Sequence, residues 1–82
     1  MTFTDLEQRA LDAAIASSAG NGHDFGFTED IVSDLRDLHP RQVGGLITSL
    51  IKKGVFEDPP AAVNVNGEYI VTQYVLAEAY RS

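Results

Sequence analysis

The chain contains no cysteine and no tryptophan, one methionine, three prolines and only six basic residues in 82. Without cysteine, neither a disulfide scaffold nor a thiolate zinc site can hold it together. No apolar run approaches the ~18 residues of a membrane-spanning helix. The opening Met1-Thr2-Phe3-Thr4-Asp5 has no basic region followed by an apolar stretch, so it does not read as a secretory signal. A cytoplasmic location is the expectation. Twelve acidic residues outnumber the basic ones and give a net charge of −6, which opposes general attraction to nucleic acid or to an anionic membrane.

What is present is enough for one domain spanning residues 1–82. Apolar residues make up 44% of the chain, a globular rather than a disordered composition. So short a chain buries little surface for its length, and a second subunit is a natural way to bury more. The charge is also unevenly placed. Residues 1–38 hold eight acids and two bases, and residues 55–82 hold four acids and Arg81. Residues 39–54 hold Arg41, Lys52 and Lys53 with no acid at all. One basic segment sits inside an acidic chain.

Hydrophobic spacing predicts a first helix over Asp5–Ser17. Thr4 is a suitable N-cap and Glu7 stands at the capping-box position, while Leu6, Ala10, Leu11, Ala14 and Ile15 share one face. The run from Ser17 to Gly22 stops that helix, and Phe25-Gly26-Phe27 reads as a short extended piece. Thr28 is expected to cap a second helix that turns Ile31, Val32, Leu35 and Leu38 inward. His39-Pro40 then breaks the pattern, because proline disfavours a helical residue before it and suits the first position of a new helix. The third helix is expected from Pro40 to Lys53 with Gly54 as C-cap, one or two residues after the second, a helix-turn-helix arrangement.

Beyond Gly54 the chain turns extended at Val55-Phe56 and bends at Asp58-Pro59-Pro60. Val63-Asn64-Val65, Asn66-Gly67 and Glu68-Tyr69-Ile70-Val71 read as a β-hairpin on the preferred two-residue turn. Thr72 is expected to cap a terminal helix through Arg81. The competing reading extends the strand, since Tyr69–Val75 is rich in β-formers. The fold class is therefore mainly α with a small β-hairpin: a three-helix core, a wing and a C-terminal helix.

Val43-Gly44-Gly45-Leu46-Ile47-Thr48-Ser49-Leu50-Ile51-Lys52-Lys53-Gly54-Val55-Phe56 resembles the recognition helix and first wing strand of MarR-like winged helix-turn-helix regulators. Val71-Thr72 resembles the strand-to-helix step after the wing in that family. The order of elements is similar over most of the chain, whereas the motif itself is short and common to winged helices. The resemblance implies a small DNA-binding transcriptional regulator with the third helix in the major groove of double-stranded DNA.

The residues bear on that implication directly. Val43, Leu46, Ile47 and Leu50 share the core face of the third helix, and Arg41, Gly45, Thr48 and Lys52 share the opposite one, flanked by Gln42, Ser49 and Lys53. Arginine can address guanine through two hydrogen bonds; threonine, serine and glutamine can bond to bases or phosphates; Gly45 would admit the duplex close to the backbone. A solvated helix face is the alternative. Against DNA stand the absence of lysine and arginine from Gly54 to Tyr80, Glu68 beside the hairpin turn, and a stripe of Asp30, Asp34 and Asp37 on the second helix.

The rival reading is an acidic protein-interaction module that meets a basic or helical protein through Asp30, Asp34 and Asp37 or through apolar Ile51, Tyr74 and Tyr80. Self-association follows from the same pattern. Tyr74, Val75, Leu76, Ala77, Ala79 and Tyr80 would be apolar around nearly the whole terminal helix, which points to a homodimer through it and the alanine-rich first helix. Catalysis is not expected. His23-Asp24 and His39 make a weak metal proposal, Gly20-Asn21-Gly22 is not a phosphate loop, and neither metal nor cofactor is implied.

Overall fold

A computed structural model describes residues 2–22, 24–58 and 60–81, with the backbone alone at Tyr69. The first helix, α1 (Asp5–Ser18), opens on the expected capping box: the Glu7 amide donates to Thr4 Oγ1 and the Thr4 amide to Glu7 Oε1. Its alanine face is fully used within the chain, since Ala10, Ala13 and Ala14 are buried. Strand β1 (Phe25–Phe27) follows and leads directly into α2 (Thr28–Asp34).

Helix α2 starts and ends differently from expectation. Phe27, not Thr28, occupies the cap position, because Phe27 is still held in the sheet opposite Gln73. Thr28 becomes the first helical residue, and its Oγ1 is buried without a hydrogen-bond partner among the described residues. The helix stops at Asp34, so residues 35–39 separate it from α3 (Pro40–Lys52) rather than one or two residues. Leu35 already leaves the helical region, at φ −107° and ψ 42°, and Pro40 then holds His39 extended, at φ −66° and ψ 142°. Leu35 nevertheless stays buried and Leu38 packs against the core, so the inward face survives the loss of the last helical turn.

His39 earns its own place as the cap of α3. Its Nδ1 accepts from the Arg41 amide, and Gln42 Oε1 accepts from the His39 amide. At the other end Gly54 stands just past the cap at φ 79°, a left-handed conformation that glycine adopts without strain. The Gly54 and Val55 amides donate to Ile51 and Leu50 carbonyls, satisfying the last turn.

The sheet carries the largest correction. Strand β2 (Ala61–Val65) and β3 (Glu68–Val75) form the expected hairpin, with both Asn66 (φ 53°) and Gly67 (φ 83°) left-handed at the turn. However, β3 runs through Thr72 to Val75 and no terminal helix exists; a single 3-10 turn at Glu78–Tyr80 stands in its place. The β-formers prevail because β1 supplies an antiparallel partner, Phe25 opposite Val75 and Gly26 opposite Tyr74. The sheet order is β1-β3-β2, with one bulge between Ala61 and Ala62.

The described residues thus form a small α+β domain of three α-helices and a three-stranded antiparallel sheet. Ala14, Ile31, Val43, Ile47, Leu50, Val55, Phe56, Tyr74 and Leu76 meet in one core. Tyr74 is at its centre, stacked on Phe56 with ring centroids 4.9 Å apart and donating its hydroxyl to the Ala14 carbonyl at 2.8 Å. No helix among the described residues is long and apolar enough to cross a membrane.

Candidate nucleic-acid interface

The alternation of α3 sends Val43, Ile47 and Leu50 into the core and leaves Arg41, Gln42, Gly44, Gly45, Thr48 and Lys52 exposed. The two glycines stand in open space: a Cβ built at either position would meet nothing within 4 Å. No neighbour among the described residues therefore demands glycine at 44 or 45. Two helix-interior glycines still cost about 1 kcal/mol each against alanine. Thr48 Oγ1 donates back to the Gly44 carbonyl at 3.0 Å, so its methyl and two acceptor lone pairs remain for an outside partner.

This face borders a groove of about 540 Å³ between α3 and the hairpin. Arg41, Gly44, Gly45 and Thr48 form one wall, with Glu68, Ile70 and Val71 of β3 on the other. The hairpin wall is apolar and acidic rather than basic.

Two of the seven α3 residues expected at DNA point elsewhere. Ser49 Oγ donates to Glu7 Oε2 at 2.5 Å, and Lys53 Nζ donates to Glu7 Oε1 at 2.7 Å and to the Thr2 carbonyl at 3.2 Å. Lys53 also lies over the Phe3 ring, 5.5 Å from its centroid. Glu7 itself is buried, and these donors hold its carboxyl at about 2, below the usual carboxylate range, with the Lys53 bond the largest cause. The cluster clamps the start of α1 to the end of α3. Nothing in the sequence near Ser49 announces a carboxylate 42 positions away.

The acidic stripe is divided by its partners. Asp37 forms a two-bond pair with Arg9, 2.7 and 3.0 Å, which lowers the Asp37 carboxyl and raises the Arg9 guanidinium. Asp30 accepts from Ser17 at 2.8 Å. Asp34 alone of the three has no side-chain hydrogen bond or ion pair among the described residues. Tyr74 is core and offers no surface, Tyr80 packs edge-on against Phe3, and Ile51 is half-buried against the core. With strand and a 3-10 turn in place of the terminal helix, and Ala10, Ala13 and Ala14 of α1 buried, the expected dimer face does not exist in that form.

The cations sort the same way. Arg9, Lys53 and Arg81 each pair with a carboxylate, whereas Arg36, Arg41 and Lys52 have none within reach among the described residues. Arg36, which the sequence places beside the aspartate stripe as an offset to its charge, is exposed in the turn leading to α3. Among the described residues no three of His, Asp and Glu converge as metal ligands, and the His23 half of the His23-Asp24 pair lies outside them. Compared with known proteins, the chain matches no protein family, no curated protein and no solved structure.

Proposed function

We propose that this chain is a small winged-helix DNA-binding regulator that presents the exposed face of α3 to the major groove. Arg41 at its start, Thr48 at its centre and Lys52 at its end are the contacting side chains, with Gly45 at the point of closest backbone approach; Gln42, whose Oε1 caps the His39 amide, keeps only its Nε2 amide to donate. The observation that carries the reading is the bare Gly44-Gly45 surface, exposed, free of acid along α3 and unexplained by any neighbour among the described residues. Bare helix backbone between an arginine and a lysine suits a partner that presses close and offers acceptors. Ser49 and Lys53 are not assigned to DNA, because Glu7 already holds them.

The test is a backbone amide titration with a mixed-sequence duplex at low salt. Shifts that cluster on residues 40–52 and fade as salt rises support the reading. An Arg41→Ala chain should then lose affinity for its preferred sequence by about 1–3 kcal/mol more than for random duplex. Silence at the lowest salt, where phosphate attraction is strongest, removes DNA from the account.

A second reading has its own observation. The hairpin carries no cation and exposes Val63, Val65 and Ile70 at 48%, 47% and 45%. A wing of that composition suits a protein surface rather than phosphate.

A further inference from the structure

Strand β2 is the outer edge of the sheet, and all five of its residues, Ala61–Val65, are exposed. Natural edges are usually guarded by charge, by proline within the strand, or by a covering element. The bulge between Ala61 and Ala62 disturbs this one only at its start, and from Ala62 to Val65 it has neither charge nor proline. Val65 opposite Glu68 closes the two-residue turn, so it and Val63 opposite Ile70 are the hydrogen-bonded pairs of the hairpin. The amides and carbonyls of Ala62 and Asn64 therefore point outward, away from β3. Val63, Val65 and Ile70 share one face of the ribbon as an apolar patch, with exposed Glu68, opposite Val65, at its turn end.

We infer that β2 pairs with β2 of a second copy, antiparallel about a two-fold axis centred near Val63. Such a pair is self-complementary: the outward groups of Ala62 meet those of Asn64 of the partner, and Asn64 meets Ala62, while Val63 opposes Val63. The two apolar patches then join. Charge selects the same occupant. Each copy carries −6, so most other contacts bring like charges together, yet residues 59–67 hold no charged side chain. A partner recognised by charge would find no counter-charge there.

The interface is small beside the ~800 Å² per partner of a standard complex, which sets the expected affinity in the micromolar range. Pairing would also double the three free cations available to a duplex. That benefit rests on the DNA reading, so the test omits DNA.

The experiment is sedimentation equilibrium with a parallel dilution series read by amide shifts. A monomer–dimer equilibrium, with concentration-dependent shifts confined to residues 61–66 and their neighbours on β3, is the expected result. Val63→Lys should weaken association by about tenfold or more, since like charges then face each other across the axis. Its circular dichroism should be unchanged, and mixing it with Val63→Glu should restore a mixed dimer. A chain that stays monomeric into the millimolar range overturns the inference. So does a dimer whose shifts fall on other residues, or one that Val63→Lys leaves intact.

Discussion

Gly26 occupies the position where the fold tolerates least. A Cβ there would stand 2.2 Å from the Tyr74 hydroxyl, 2.6 Å from its ring carbon and 3.0 Å from Ser17 Oγ. Tyr74 cannot yield, because it is fully buried between Phe56 and the Ala14 carbonyl. Gly26→Ala should destabilise the domain by about 3 kcal/mol, measured by urea unfolding. Tyr74→Phe alone should cost about 1 kcal/mol for the lost hydrogen bond, and combined with Gly26→Ala it should recover part of the loss. Nothing in Phe25-Gly26-Phe27 reveals this, since the clash comes from a side chain 48 positions away.

Glu7 is the second such residue. Thr4 and Glu7 are readable as a capping box at three-residue spacing, and that box forms. The Ser49 and Lys53 contacts are not readable, because they depend on how α3 crosses α1. Folding lowers the Glu7 carboxyl from 4.5 to about 2, so its ionised form is favoured by the native state. Its contribution is present above pH 4.5 and is lost as pH falls toward 2. The melting temperature should fall across that window, and Glu7→Gln should flatten the fall. An equal fall in both proteins would deny Glu7 the role. Asp37 is lowered in the same direction, but its pair with Arg9 is exposed and screened, so it adds little.

At the scale of elements, α3 separates stability from function. Gly44→Ala and Gly45→Ala meet no neighbour and need no left-handed backbone, so each should stabilise the domain by about 1 kcal/mol. On the DNA reading the same methyls should weaken duplex binding, because they stand where the backbone must approach. Stability and affinity moving in opposite directions is the expected pair of results, read by thermal melts and anisotropy. Better stability with unchanged affinity would remove the glycines from the interface. Helix α3 was also the most readable element, since Pro40, the alternating apolar face and Gly54 mark both ends. Residues 69–80 were the least readable. Apolar residues at nearly every position fit a helix hydrophobic all round or a strand covered on both faces, and only a strand partner decides between them. That partner is β1, almost 50 residues earlier.

For the whole molecule, charge bounds how DNA could be held. Three cations, Arg36, Arg41 and Lys52, are free of carboxylate partners among the described residues, against a net charge of −6. Each neutralised phosphate contributes a log–log salt slope near −0.9, so one copy should give a slope no steeper than about −2.7. A much steeper slope would require more cations at the duplex than one copy supplies.

The sequence by itself determined α1 and α3, the presence of α2, the tight Asn66-Gly67 hairpin, the Thr4 cap, the left-handed Gly54 just past α3, and the face of α3 left to solvent. All of these depend on residues within a few positions of one another, where spacing and backbone preference act directly. The tertiary structure decided the rest: that Thr72–Val75 is strand, that Tyr74 is core, that Ser49 and Lys53 turn to Glu7, and that β2 is an open edge. Each of those outcomes is settled by a partner far away in the chain, and local preference carries no information about where such a partner will be.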